Sequence, residues 1–320
     1  MTTEVAQNWE PTAEISALVE RSRIVAKLRT FLTDRGVLEV DVPILGNYSV
    51  SDPYIDSFEV LNERVEGFLQ TSPESFMKRL LAAGSGDIFF LGKAFRAGEI
   101  GVNHNPEFTM LEWYRVEWNE HELMAEIAEL INILAPNIGC LTMSYRDAFK
   151  QHLGIDPHDA CLSNLQRHVS SIAGRKWRPE SRFNCLNFLF ANVIEPKLPR
   201  GLVFLYDYPE CHAAFAQLHC NREGQLVSRR FEVYLNRLEL ANGYFELTDP
   251  KEQHRRFDRD KRARIAMNKK ILEEDESALA ALNVGLPSCA GVALGVDRLI
   301  MQLLDKNSIQ QIMAFSWAQR

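Results

Sequence analysis

The sequence predicts an α+β fold, a mostly antiparallel sheet flanked by helices. Three observations support this. Candidate strands follow one another through hairpins and long excursions. The last apolar unit, Ala290 to Leu304, carries a glycine-bearing strand straight into an apolar helix. At 320 residues and 46 % hydrophobic content, the chain can also bury a full core. Glycine and proline are scattered and no repeat or low-complexity tract appears, so no flexible linker divides it. Residues 1–14 read as a tail and residues 15–320 as one domain.

Between Pro11 and Gly36, the residues Ile15, Leu18, Val19, Val25, Leu28, Phe31 and Leu32 recur at the helical period, and Gly36 closes the helix. Val37 to Leu45 alternates apolar with acidic residues around Pro43, which suits a strand end because proline cannot donate to a ladder. Phe58 to Leu69 reads as a hairpin. Ser72 then N-caps a helix with Pro73 at its first position and Gly84 at its end. Ile88 to Arg96 and Glu107 to Val116 are two further strands. Asn119 with Glu122 gives a capping signal for a helix to about Leu134. Tyr145 to Leu153 is a short helix, and a helical insertion runs from about residue 156 to residue 199, with Leu186, Phe188, Leu189, Phe190 and Val193 as its apolar face. Strands return at Leu202 to Tyr206, His212 to Leu218, Arg230 to Leu240 and Phe245 to Thr248. Asp249 caps a helix to about Lys270 that carries nine Lys or Arg against three Asp or Glu.

A quarter of the residues are charged and the net charge is -7. That balance argues against a broad, sequence-independent grip on nucleic acid. The six cysteines include no CxxC and lie far apart, which fits reduced thiols and neither a disulfide framework nor a zinc site. The N-terminus is polar and no apolar run approaches about 18 residues. The expectation is a soluble, cytoplasmic protein.

The chemistry is concentrated between Phe95 and Tyr114. If two strands and a turn span this stretch, alternate side chains share a face, and Arg96, Phe108, Glu112 and Tyr114 line one pocket. A cation, an aromatic plate and a carboxylate suit a nucleotide and an amine; the alternative is a solvated hairpin. Arg298, near the start of the last helix, could grip phosphate with Arg96. Glu232 and Glu239 lie among apolar strand residues, where an unpaired carboxylate is costly. They suit either Mg²⁺ on substrate phosphates or ion pairs with Arg230 and Arg237.

Taken together, these pieces resemble the class II aminoacyl-tRNA synthetases. Gly36-Val37 through Pro43 is similar to their motif 1, Phe95-Arg96 through Glu112 to motif 2, and GVALGVDR from Gly291 to Arg298 to motif 3. TSPE at Thr71 to Glu74 and HNPEFTMLEW at His104 to Trp113 point to the lysyl branch. The resemblance runs from about residue 15 to the C-terminus. Lysyl synthetases carry an anticodon-binding domain before motif 1, where this sequence has about one helix. It is therefore similar to the truncated lysyl-synthetase paralogues that activate (R)-β-lysine with ATP and attach it to a lysine of elongation factor P. The resemblance implies a class II catalytic domain, ATP and Mg²⁺ as cofactors, and a homodimer built on the first helix and the strand to Pro43.

It also implies roles for single residues. Arg96 would hold the α-phosphate and stabilise the charge that develops there. Phe108 would stack on adenine with Arg298 on its other face, reaching the γ-phosphate, and His104 would sit near the phosphates. Glu232 and Glu239 would hold Mg²⁺. Glu246 and Tyr114, with Asn242, would grip the distal ammonium and the carboxylate of the amino acid, while Glu74 and Glu112 would face its inner amino group. Two departures stand out. The class reads Arg-x-Glu in motif 2, whereas Glu99 here comes one residue later, so either the turn shifts register or adenine is contacted otherwise. Lysyl synthetases have glycine where this chain has Ala293; a methyl there would crowd an α-amino group and leave room for a β-amino one. The turn Ile100 to Asn105 contains no Lys or Arg, which removes a grip on tRNA and favours a protein acceptor. The basic helix Lys251 to Lys270 is a candidate docking surface for that acceptor, or a solvated charged face. The competing readings are a truncated enzyme that still charges tRNA and a non-catalytic regulatory paralogue.

Overall fold

A computed structural model describes residues 9–174 and 181–319. The first helix, α1 (Ile15–Thr33), buries Ala17, Ile24, Leu28, Phe31 and Leu32. The turn that follows it closes at Gly36, which adopts φ 74°, a left-handed value that costs glycine little. Short strands β1 (Leu38–Glu39) and β2 (Leu45–Gly46) flank Pro43, and β3 (Glu59–Leu61) and β4 (Glu66–Leu69) form the expected hairpin. Then come α2 (Glu74–Ala82), β5 (Ile88–Phe95) and β6 (Glu107–Val116). Helix α3 (Glu120–Leu134) carries the full capping box, with Asn119 accepting from the Glu122 backbone and Glu122 from the Asn119 backbone. At the head of α2 the expected Ser72 cap is absent: Pro73 is the N-cap and no side chain bonds the first turn.

Strand β7 (Cys140–Ser144) leads into α4 (Tyr145–Leu153), which Gly154 closes in the left-handed conformation. The insertion holds α5 (Leu162–Ala173) and α6 (Arg182–Leu189), the latter extended by a wider turn over Phe190–Ile194 and a tight one over Glu195–Lys197. Strands β8 (Leu202–Pro209), β9 (Leu218–Cys220), β10 (Leu226–Leu235) and β11 (Leu238–Phe245) follow, then α7 (Pro250–Ala266), α8 (Glu276–Gly285), β12 (Cys289–Gly295) and α9 (Val296–Leu303). Three sequence-based strands are thereby redrawn; Phe245 to Thr248 is the end of β11 and a single bridge at Glu246. His212 to Leu218 is mostly a one-turn helix and loop ahead of β9. Arg230 to Leu240 is not one strand but a hairpin, because Asn236 and Arg237 take φ 49° and 74°, the pair of positive values that a tight two-residue turn needs.

The main sheet runs in the order β1-β5-β6-β12-β11-β10-β8-β7, with β9 beside β10. Only β1 with β5 and β7 with β8 pair in parallel among the described strands. One face buries Leu111, Trp113, Phe231, Val233, Val292 and Leu294 against α1, α3 and α9. Side chains of this size stabilise by roughly 2 kcal/mol each on leaving water. On the other face, Ile88, Phe90 and Tyr114 pack with Met77 and Leu81 of α2 and with Leu282 of α8. Val203, Leu205, Tyr208 and Tyr234 pack with the insertion at the opposite edge. Between these two clusters the face is left open as a cleft.

Residues 1–8 of the expected tail lie outside the described residues. From Thr12 the chain is docked: the Thr12 N–H donates to Ala314 O at 2.7 Å and Thr12 Oγ1 accepts from Ser316 N at 3.1 Å. The six cysteines are all free thiols, and no helix of the described residues is long and apolar enough to cross a membrane.

Candidate active site

Directly opposed residues in a ladder share a face of the sheet. Glu112 of β6, Ala293 of β12, Asn242 of β11 and Glu232 of β10 are successive partners in one row; Tyr114, Gly291, Tyr244 and Arg230 form the next. These rows floor the cleft. Gly291 is required there, since a Cβ would lie 2.3 Å from the Tyr114 ring and 2.7 Å from Glu246 Oε1. Further along β11, Val233 pairs with Ala241 but Tyr234 with Glu239, so Leu240 is an extra residue, a bulge. The bulge resets the alternation and brings Glu239 to the same face as Asn242.

The cleft encloses a cavity of about 880 Å³. Of the residues singled out in the sequence, Glu74, Arg96, Glu99, His104, Phe108, Glu112, Tyr114, Glu239, Asn242, Ala293 and Arg298 line it; Glu232 and Glu246 do not.

One half suits a nucleotide. Arg96 follows β5 and its N–H donates to Pro106 O at 2.9 Å. Its guanidinium lies 5.2 Å from the Phe108 ring centre, and its Nε is buried without a hydrogen-bond partner. Gly98, at φ 81°, turns the chain so that Glu99 Oε1 comes 3.5 Å from Arg96 Nη1. The displaced acid thus faces the cavity. The tip closes where Gly101 N–H donates to His104 O at 3.1 Å. Arg298 Nη2 stands 2.6 Å from His104 Nε2, and its Nη1 donates to Glu239 O at 2.9 Å. Burial and the Arg298 charge lower the His104 pKa, so the ring is neutral and accepts from Arg298. Arg96 is the guanidinium beside Phe108 in this structure, and Arg298 lines the same cavity. Beneath Arg298, Asp297 accepts from Thr109 N at 2.6 Å and pairs with Arg21 of α1 at 2.6 Å, and Arg21 donates to Thr109 Oγ1 at 2.8 Å.

The other half suits amines. Tyr114 donates to Glu112 Oε1 at 2.8 Å. Burial and then the Glu74 charge push the Glu112 pKa up to about 8. Glu246, 1 % exposed, lies behind the cavity wall and is not open to it; its partner is Lys78, whose Nζ is 2.7 Å from Glu246 Oε2 and 2.6 Å from Glu74 Oε1. Burial raises Glu246 to about 7 against the pull of Lys78. Asn242 is also engaged, accepting from Arg230 Nε at 3.0 Å and donating to the Tyr244 hydroxyl at 2.6 Å.

The pair expected to hold Mg²⁺ is split. Glu239 faces the cavity with a side chain 42 % exposed. Glu232 has both oxygens engaged, by Arg230 and by the hydroxyls of Tyr208, at 2.7 Å, and Tyr234. The ion-pair alternative therefore describes Glu232 in this structure. Glu195 adds a further carboxylate to this corner: burial, then Glu239 and Glu232, raise it to about 7. The repulsion between Glu239 and Glu195 fits a cation at Glu239, but Glu232 could join only by sharing an oxygen already bonded. The described residues whose ligand atoms do converge, His254, Asp258 and Glu274, are a separate group.

Lys78, Arg21 and Glu195 were not singled out in the sequence. Lys78 follows Glu74 by one helical turn, a spacing at which opposite charges meet, and that signal was legible. Arg21 and Glu195 gave none, because their partners are distant in the chain. The basic helix α7 is less free than its composition implied: Arg256 donates to Ala214 O and Ala216 O, and Arg264 to Asp52 O and Lys270 O.

The family model described as tRNA synthetases class II (D, K and N) matches residues 11–319. Among curated relatives, a protein of Haemophilus ducreyi is 44 % identical, covering 96 % of this chain and 96 % of its own length. One of Photorhabdus laumondii is 42 % identical, with 97 % of each covered, and one of Hamiltonella defensa is 41 % identical, with 97 % and 98 % covered. All three are named elongation factor P--(R)-beta-lysine ligase.

Proposed function

The chain belongs to the class II tRNA synthetase family (D, K and N), and on that premise we propose that it is an ATP-dependent ligase that adenylates (R)-β-lysine and transfers it to a lysine side chain of elongation factor P. The observation that carries this reading is end-to-end similarity, at 41 to 44 % identity, to relatives bearing that ligase's name. The cleft supports it: an arginine-lined half suited to phosphates adjoins a half where Glu74 and Glu112, with Glu246 behind them, suit a diamino acid. Residues 15–320 act on this reading as one catalytic unit, with residues 156–199 as an insertion.

In the first step a carboxylate oxygen of the amino acid attacks the α-phosphorus of ATP and pyrophosphate leaves. Arg96, with its Nε unbonded within the protein, holds the α-phosphate and stabilises the charge that grows on it. Phe108 supplies a flat surface for adenine. Neutral His104 holds Arg298 toward the phosphates, and Glu99 keeps Arg96 in place. Mg²⁺ at Glu239 would neutralise phosphate charge when bound. Glu112 with Tyr114, and Glu74 with Glu246 behind it, receive the two amino groups through charge-assisted hydrogen bonds. In the second step the ε-amine of the acceptor lysine attacks the activated carbonyl, an amide forms, and AMP departs with the bond electrons. That amine first has to lose a proton, its ordinary pKa being about 10.4.

Transfer to a protein in preference to tRNA is supported by the turn over the nucleotide half. It carries no Lys or Arg between Ile100 and Asn105, and Ile100 and Val102 are each 62 % exposed. The test is exchange of pyrophosphate into ATP, run with (R)-β-lysine and with α-lysine, followed by addition of elongation factor P or of tRNA. Exchange with (R)-β-lysine and labelling of the protein are expected. Absence of exchange would favour a regulatory paralogue, and labelling of tRNA alone would favour a truncated synthetase.

A further inference from the structure

A lysine bonded to the acids of a pocket meant for ammonium groups needs a reason. Lys78 is 11 % exposed at its side chain, holds Glu74 at 2.6 Å and Glu246 at 2.7 Å, and lies 4.6 Å from the Phe215 ring centre. Burial alone would lower its pKa, but Glu246 and Glu74 outweigh burial and hold it raised, so the ammonium is permanent. A third carboxylate, Glu112, shares the electrostatics of this cluster, with Glu74, Glu246 and Lys78 all acting on it. Once bound ammonium groups hold the acids ionised, three carboxylates against one resident ammonium leave two negative charges. A diamino acid brings two ammonium groups.

We infer that Lys78 is a positioning and specificity residue: a resident cation that sets the charge of the amino-acid pocket to match a diammonium substrate and holds Glu74 and Glu246 apart for it. The inference rests on the reading of this half of the cleft as the amino-acid pocket. Without Lys78, two acids lose the cation between them, and buried like charges keep protons when no cation separates them. A carboxyl group that stays protonated forfeits the charge-assisted bond to an amine. Monoamino acids would leave one net charge buried, so the same count rejects them.

The test uses the full chain as Lys78→Met, Lys78→Arg, Glu74→Gln and the double variant Lys78→Met with Glu74→Gln. In pyrophosphate exchange, Lys78→Met should raise KM for the diamino acid roughly tenfold while KM for ATP and kcat stay within about twofold. Lys78→Arg should keep most of the affinity. The double variant restores the count to two and should bind more tightly than Lys78→Met alone; losses that simply add, or an equal rise in KM for ATP, would overturn the assignment. A second readout needs no substrate. Glu74, Glu246, Glu112 and Cys289 are titratable groups that interact with Lys78, and Tyr114 and Tyr244 interact with its acids. Between about pH 6 and pH 8 the melting temperature of Lys78→Met should fall more steeply than that of wild type, and ethylammonium should restore it. Parallel curves would overturn the inference. If wild type shows no exchange with any amino acid, the proposed reaction fails, and the melting curves still decide the role of Lys78.

Discussion

Arg96 keeps its Nε buried and unbonded within the protein, an arrangement that folding alone would not select. Arg96→Ala is therefore expected to reduce pyrophosphate exchange by roughly 10²–10³-fold with little change in melting temperature, and a large drop in melting temperature would reveal a structural role instead. Ala293 belongs to the same scale. It stands in one row between Glu112 and Asn242, so its methyl lies on the floor where an amino group would rest. Ala293→Gly should improve the use of α-lysine relative to β-lysine by roughly tenfold, the size of effect one carbon has in a close pocket; an unchanged ratio of kcat/KM values would remove the methyl as the cause. Most cavity residues were legible because motif spacing names them directly. For Glu232 the pairing with Arg230 was legible as one of two readings, but its sequence neighbours do not reveal Tyr208, whose hydroxyl takes up one of its oxygens.

At the level of elements, the tie between Arg21, Asp297 and Thr109 joins α1, α9 and β6. Asp297 is 1 % exposed, so losing Arg21 strands a buried charge. Arg21→Met should cost about 3 kcal/mol in urea unfolding, and adding Asp297→Asn should return part of that loss. If the double variant is less stable than the single, the pair is not the source. Elements were readable wherever a local rule sets them, as in the Asn119 capping box or the left-handed Gly36. The β10–β11 hairpin escaped because its turn is Asn-Arg and lacks the glycine that usually marks two positive φ values. The Leu240 bulge escaped too, since it appears only once the partner strand is aligned.

Across the whole molecule, the buried acids make stability depend on pH. Glu246 at about 7 and Glu112 at about 8 lie above the ordinary value of 4.5, so the folded chain holds protons that the unfolded chain releases. Their contribution is complete below the ordinary value and is lost as pH rises through about 7 and about 8. The free protein should lose melting temperature over that interval, and the gain on adding a diamino acid should be larger at its alkaline end, where the acids are charged; a gain that shrinks with pH would contradict the assignment. Ile15, Val19, Leu38, Ile44 and Leu45 are exposed at 42 % or more on and after α1. These apolar residues support the homodimer the family implies, which sedimentation should detect at twice the chain mass, with Val19→Glu and Leu45→Glu together giving a monomer. The order of elements and the sheet's antiparallel character were legible in hydrophobic period and turn residues. The insertion's own core, built on Leu165, Val169, Leu186 and Leu189, was only partly so, because it closes against Tyr145 and Phe149 of α4 and Val203, Leu205 and Tyr234 of the sheet.

Strand β12 offers very little room for variation. Any side chain at Gly291 would strike Tyr114 and Glu246, while Ala293 already carries the one methyl its row holds between Glu112 and Asn242. Every alanine codon lies a single base from a glycine codon. If Ala293→Gly shifts selectivity as predicted, the choice between α- and β-lysine at this position can be crossed in either direction by one point mutation.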